Sequence, residues 1–344
     1  MAEPTLEREI NEQPAVIQRL LDSETENARR LAEALRGTFD YVVIAARGTS
    51  DNAARYAQYL LGAHNHLQVA LATPSLFTLY HSPPALTGAL VIGISQSGQS
   101  PDIVEVVHEA RAQNRPTIAI TNEPDSPLAQ VADHTIRLHT GPERAIAATK
   151  TYTSSLCALA LLSSMLADDQ QRVALLQELP GLMVQTIKNF DEKRVERYRY
   201  MAHCAVVGRG YNYATAFEIA LKIKELTRVV AEPYSAADFR HGPIAVARDG
   251  FPALVVAAGG PLHADIGALV ADLRQRGAEL LLISHDQALL DQAHVALPLP
   301  PDMPEWLTPL VAVLPGQLFA LRLAQAKGLD PDQPRGLMKV TETW

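Results

Sequence analysis

The feature that most constrains this chain is that it states one pattern twice. Three apolar, β-branched runs, "YVVIAARG" (Tyr41 to Gly48), "ALVIGIS" (Ala89 to Ser95) and "TIAITN" (Thr117 to Asn122), are each followed by a helical pattern. They recur as "HCAVVGRG" (His203 to Gly210), "PALVVAAGG" (Pro252 to Gly260) and "ELLLIS" (Glu279 to Ser284). The offset is about 160 residues, with Arg47-Gly48 falling on Arg209-Gly210, and "PLAQVADHTIRL" is echoed by "ALLDQAHVALPL". Strand-like runs that stay apolar throughout are buried on both faces, and their alternation with helices is the signature of a parallel sheet covered by helices. A repeat this long means two copies of one α/β domain, not a solenoid of short units. The expected organisation is an N-terminal helical segment (1–30), a first domain (31–167), a polar helical linker (168–196), a second domain (197–330) and a C-terminal tail (331–344).

Composition then removes several classes. At 344 residues, 47% hydrophobic and 20% charged, the chain has the make-up of a water-soluble globular protein with room for two domains. A net charge of -8 argues against a nucleic-acid partner, whose phosphates call for clustered Lys and Arg, but leaves local binding of a small anion open. Cys157 and Cys204 lie in apolar surroundings, which suits reduced core thiols in the cytoplasm, and no zinc-ligand spacing exists, so neither metal nor disulfide is expected. "MAEPTLEREINEQP" has no apolar h-region, so no secretory signal is read. The longest apolar segment, Leu156 to Ala167, is too short and Ser-rich to span a bilayer and reads as a buried helix; no membrane partner is expected.

The copies differ after the second strand, where the first carries "ISQSGQSPD" and the second "AAGGPLHAD". In a doubly wound sheet, ligands bind beyond the carboxyl ends of the strands, where helix N-termini offer free N–H groups. Ser95, Gln96, Ser97 and Ser100 would add side-chain donors there, and Ser50, in "RGTSDNAARYA", would meet them from a neighbouring strand end. These are the parts of a phosphate cradle that uses hydroxyls in place of Lys or Arg. A Ser/Gly-rich turn with a Ser N-cap would read the same way.

At this point the residues carry a family resemblance. "RGTS", "SQSGQSPD", "AATKTYT", "EIALKIKE", "RHGP" and "DQPRGLMK" occur in the order and spacing of the sugar-isomerase (SIS) domain pair of glutamine:fructose-6-phosphate aminotransferase, the glucosamine-6-phosphate synthase. The likeness runs from "EINEQP" over almost the whole chain. It implies two tandem SIS domains, flavodoxin- or Rossmann-like, with the sugar phosphate held by Ser95, Gln96, Ser97, Ser100 and Ser50. Thr49, Ile146, Ala148 and Glu218 would line the sugar, the segment from Ile146 to Lys150 largely through backbone groups.

On "YATAFEIALKIKEL", Glu218, Lys222 and Glu225 fall at i, i+4 and i+7 and share one helix face. Alone, the pattern fits an exposed salt-bridge ladder equally. The resemblance implies that Glu225 shuttles a proton between C1 and C2, with Lys222 beside it to polarise the neighbouring oxygen. His241, in "DFRHGPIAV", fits a plain loop residue, but its near-neutral titration also suits opening a sugar hemiacetal; the resemblance assigns it that step across a homodimer interface. Lys339 fits a solvated tail lysine, and by resemblance closes over the sugar and can form a Schiff base with a ketose carbonyl.

Two departures matter. The chain begins Met-Ala without an upstream glutaminase domain, so glutamine-dependent synthesis within one chain is not expected. Alanine stands at position 148, where the synthase usually has serine, which removes one hydrogen bond to the sugar. The expectation is a cytoplasmic, cofactor-free SIS enzyme acting on a 6-phosphorylated ketose or aminosugar by glucosamine-6-phosphate deaminase/isomerase chemistry. The same groups fit a phosphosugar aldose-ketose isomerase, a deglycase of a phosphorylated sugar-amine adduct, or, in a different class, a module that senses sugar phosphates without turnover.

Overall fold

The repeated runs pair into two parallel sheets. The computed structural model describes residues 3–339. Its elements begin α1 (Thr5–Leu35), β1 (Tyr41–Ala45), α2 (Gly48–Asn65), β2 (Val69–Leu71), α3 (Ser75–Thr78), β3 (Ala89–Ile94), α4 (Pro101–Ala112), β4 (Thr117–Thr121), α5 (Pro127–Val131) and β5 (His134–Arg137). After α6 (Lys150–Leu166) and α7 (Gln170–Lys188) the pattern resumes with β6 (His203–Gly208), α8 (Asn212–Thr227), β7 (Val230–Ser235), α9 (Ala236–Arg240), β8 (Pro252–Ala257), α10 (His263–Gln275), β9 (Glu279–Ser284), α11 (Gln287–Leu290), β10 (Val295–Pro298) and α12 (Thr308–Ala326). The strand orders are β2-β1-β3-β4-β5 and β10-β9-β8-β6-β7. Read from the matching edge these are one arrangement, 2-1-3-4-5, with every strand pair parallel. The α/β class and the duplication follow as expected. The echoed segments are α5 with β5 and α11 with β10, the last strand of each sheet.

By compactness the chain forms two units. The first comprises Ala15–Glu143, Lys150–Glu178 and the tail from Met338; the second comprises the stretch up to Pro14, Arg144–Thr149 and Leu179–Leu337. Of the expected 331–344 tail, residues 340–344 lie outside the described residues. The central strands β3 and β8 are buried at all six positions, as strands covered on both faces must be. The first strand ends earlier than its apolar run, because Gly48 adopts φ +52 and already begins α2. Arg47 is thereby left at the turn.

Leu156 to Ala167 falls within α6 and the residues just after it, and α6 is buried along nearly all its length. Among the described residues, however, it is Glu305–Ala326 that is long and apolar enough to cross a membrane, and it is almost wholly buried within the fold. It packs against α8, and Gly316 is what lets it approach: a side chain there would overlap Ile219. The start of α1 joins the same unit. The N–H groups of Thr5 and Leu6 donate to Asp332 (2.7 and 2.8 Å), Glu7 pairs with Arg322, and the Gln13 amide donates to Gln317 Oε1 at 2.7 Å in the interior. Both cysteines are buried and free, and burial pushes the Cys204 thiol up to about 12 and Cys157 higher still, as expected of core thiols.

Candidate active site

In the first unit the strand order reverses between β1 and β3, and α2 and α4 both start at that crevice. A cavity of about 150 Å³ lies there, lined by Ser50, Ser95, Gln96, Ser97 and Ser100 together with Arg47 and Lys339. Sequence spacing thus brought the five polar residues to one place. Gly98 takes φ +62, and a side chain on it would overlap Ser126, so the loop needs glycine at its apex. The loop is tied down behind the cavity: Asn122 N–H and Thr121 Oγ1 donate to the Gln96 carbonyl (3.1 and 3.2 Å), and Leu128 N–H to the Gly98 carbonyl at 3.0 Å. Ser95 Oγ accepts from Gly98 N–H at 3.2 Å. Ser100 holds the N-cap position of α4 yet makes no side-chain capping bond, so its hydroxyl is not spent on the helix.

The cradle is not one of hydroxyls alone. Arg47 Nε donates to Asp102 Oδ2 at 2.7 Å, and Asp102 is wholly buried in the first turn of α4. Lys339 Nζ pairs with Glu143 Oε2 at 2.9 Å; that side chain is also wholly buried and accepts from Thr151 N–H (3.1 Å) and Thr151 Oγ1 (2.8 Å). Two cations therefore stand at the cavity, each tethered to a buried carboxylate. Sequence reasoning missed Arg47, Asp102 and Glu143. A signal existed for the first pair: "ISQSGQSPD" and "AAGGPLHAD" both end in aspartate, and in the second unit Arg209 pairs with Asp265, which also binds Arg240 at 2.6 Å. Thr49, half-buried in the first turn of α2, is not among the lining residues.

In the second unit the corresponding crevice, between β6 and β8, holds a side chain of the protein itself. The Glu305 carboxylate lies where any side chain on Gly260 would have to stand and close to where one on Gly210 would, and burial raises its pKa. The functional candidates of this unit lie instead along α8. Lys222 Nζ sits 2.6 Å from Glu225 Oε2 and 3.4 Å from Glu218 Oε1, with side-chain exposures of 1% for Lys222, 0% for Glu218 and 23% for Glu225. The exposed-ladder reading is therefore excluded. Glu225 reaches a cavity of about 320 Å³, which it shares with Arg228, Leu329 and Arg335. Ile146 and Ala148 are half-buried on the segment 144–149, which Glu9 anchors by accepting from the Arg144 and Ala145 N–H groups (2.6 and 3.2 Å). His241 is exposed at the C-terminal end of α9 and is not brought to the lining of either cavity. Among the described residues no cluster of three His, Cys, Asp or Glu is placed to hold a metal ion.

The chain matches the SIS domain twice, at residues 40–165 and 201–326, and so belongs to the SIS-domain family. It is 33% identical over 339 residues to glutamine–fructose-6-phosphate aminotransferase [isomerizing] of Pyrococcus horikoshii, an alignment covering 96% of this chain and 56% of that protein. The chain thus spans little more than half the length of that relative. Among solved structures it resembles a Silicibacter pomeroyi protein described as a candidate phosphosugar isomerase (32% identity, TM-score 0.87, covering 96% of this chain and 100% of the other). It also resembles the C-terminal domain of glucosamine-fructose-6-phosphate aminotransferase from Francisella tularensis (26% identity, TM-score 0.86, covering 97% and 99%).

Proposed function

We propose that this chain is a phosphosugar isomerase that interconverts glucosamine 6-phosphate and water with fructose 6-phosphate and ammonia, independently of glutamine. The observation that carries this reading is that one chain holds two constellations, one in each unit: a hydroxyl-lined cavity flanked by cations, and a buried carboxylate–ammonium–carboxylate row with one carboxylate open to a cavity. In this scheme Ser50, Ser95, Gln96, Ser97 and Ser100 hold the phosphate, and Thr49, Ile146, Ala148 and Glu218 lie along the sugar. Glu225 takes the proton from C2 of the open-chain aminosugar and returns it to C1 while O1 gains a proton and the amine gives one up, which leaves an imine at C2; water adds there and ammonia departs. The deep burial of Lys222 favours holding Glu225 in place over polarising a substrate oxygen. Lys339 closes on the sugar and can form a Schiff base with the ketose carbonyl. Two buried free thiols accord with a cytoplasmic protein.

The scheme is tested with a panel of 6-phosphosugars and phosphorylated amine adducts, monitored for ammonia release and ketose formation. Ketose formation with one equivalent of ammonia from glucosamine 6-phosphate is the expected result. Isomerisation without ammonia would instead support the aldose-ketose reading, and release of an amine other than ammonia the deglycase reading. Tight binding with no turnover of any compound would make the protein a sensor. Replacing Ser97 and Ser100 together by Ala should raise the KM for a phosphosugar about tenfold or more, since charge-assisted hydrogen bonds are worth roughly 1.5–3 kcal/mol each. An unchanged KM removes the phosphate assignment.

His241 enters the scheme as the ring-opening group, supplied across a homodimer. Its exposure on the protomer supports this reading, because a histidine serving a neighbouring subunit cannot be buried in its own. Mixing inactive His241→Ala with inactive Glu225→Gln protein should restore part of the activity, since a hybrid dimer would contain one complete site. No recovery despite confirmed subunit exchange would return His241 to a role within one chain.

A further inference from the structure

We propose that Arg47 binds the phosphate in the first unit's cavity and makes that cavity selective for phosphorylated over neutral sugars, with Asp102 as the residue that positions it. This rests on reading the cavity as a phosphate site. Hydroxyls donate hydrogen bonds but carry no charge, so the serine loop alone discriminates poorly between a phosphate dianion and a neutral group of similar shape. Arg47 supplies charge there, beside Lys339, whose ammonium is paired with Glu143. The Arg47 Nε is committed to Asp102 Oδ2 at 2.7 Å, which leaves the two terminal nitrogens of the planar fork for another partner, and the side chain is 48% exposed at the cavity wall. Asp102 is wholly buried, and its second oxygen makes no hydrogen bond. A buried carboxylate with a single cationic partner holds that partner firmly, because releasing it would strand a charge in the interior.

The second unit supplies an internal comparison. Arg209 and Asp265 repeat the pair at the corresponding strand end and helix start, but the loop there is "AAGGPLHAD", without hydroxyls, and the Glu305 carboxylate lies in the crevice. As a strut between strand end and helix, the pair exists in both units. In the first the guanidinium faces a cavity lined by serine hydroxyls.

Calorimetric titration of the intact protein with inorganic phosphate tests this. Arg47→Gln should weaken phosphate binding at least tenfold, Arg47→Lys should restore part of the loss because it returns the charge without the fork, and Asp102→Asn should fall between wild type and Arg47→Gln. Arg209→Gln should cost similar thermal stability while leaving phosphate affinity within twofold of wild type, which a purely structural role for Arg47 would not separate. If Arg47→Gln does not fold, Arg47→Lys carries the test: it should weaken phosphate binding about threefold or more relative to wild type. Phosphate affinity unchanged in the Arg47 variants but lost in the Ser97→Ala, Ser100→Ala protein overturns the proposal while the phosphate site stands. Affinity insensitive to both sets, or no phosphate binding by wild type, overturns the phosphate site and the proposal with it.

Discussion

Glu225→Gln should slow exchange of the substrate C2 proton with solvent deuterium by about 10²- to 10⁴-fold, the range a positioned general base contributes, while phosphosugar binding stays within a few-fold of wild type. The amide keeps the shape of the carboxylate and can still accept a hydrogen bond from Lys222, but it cannot hold the proton that must travel between C1 and C2. Binding survives because the phosphate is assigned to the serine loop of the other unit, which the substitution does not touch. The local charge is also preserved in part, since Lys222 retains Glu218 at 3.4 Å. NMR of substrate incubated in deuterated buffer reads the exchange directly, without requiring net turnover. Exchange at the wild-type rate would move the role of base to another group.

The second large effect is on stability. Lys222→Met should destabilise the protein by about 3–5 kcal/mol, because it leaves Glu218 and Glu225 facing each other with no ammonium between them, and Glu218 has no access to water. At roughly 2–4 °C per kcal/mol for a domain of this size, that is a fall in Tm of about 6–20 °C. Adding Glu218→Gln should recover much of the loss, since the double variant no longer buries an uncompensated charge. Chemical denaturation of the wild type and the two variants measures both terms. A single variant within 1 kcal/mol of wild type would show that the row is more solvated than its exposures indicate.

The six strands read from the sequence, β1, β3, β4, β6, β8 and β9, are inner strands, and an inner strand of a parallel sheet announces itself as an unbroken apolar run. The outer strands gave no such signal. β2 has three residues and none is buried, and β7 is "VAEPYS", with Glu232 and Pro233 in a strand that only an edge tolerates. The serine loop was legible because its chemistry lies within six consecutive residues. Arg47 and Glu143 were not, because each takes its meaning from a partner distant in sequence: Asp102 is 55 positions from Arg47, and Lys339 is 196 from Glu143. The row on α8 was visible as spacing, but identical spacing describes a solvated ladder. What decides between them is how deeply the row is buried by the rest of the fold, and no local pattern in α8 reports that.

The interleaving of the two units has a consequence for how the chain can be cut and how it is made. The repeats look separable at the linker, yet a fragment starting beyond α7 would lack Thr5, Leu6, Glu7 and Gln13, which satisfy Asp332, Arg322 and Gln317. It would leave a buried glutamine without its partner and an apolar 22-residue stretch partly uncovered. These contacts join residues more than 300 positions apart, so they are the first to leave the ribosome and among the last to be closed. Until the last turns of α12 and Asp332 emerge, Thr5, Leu6, Glu7 and Gln13 lack these partners. Dissection along the sequence repeat is thus the wrong cut; a unit that folds alone needs the first fourteen residues spliced onto its start.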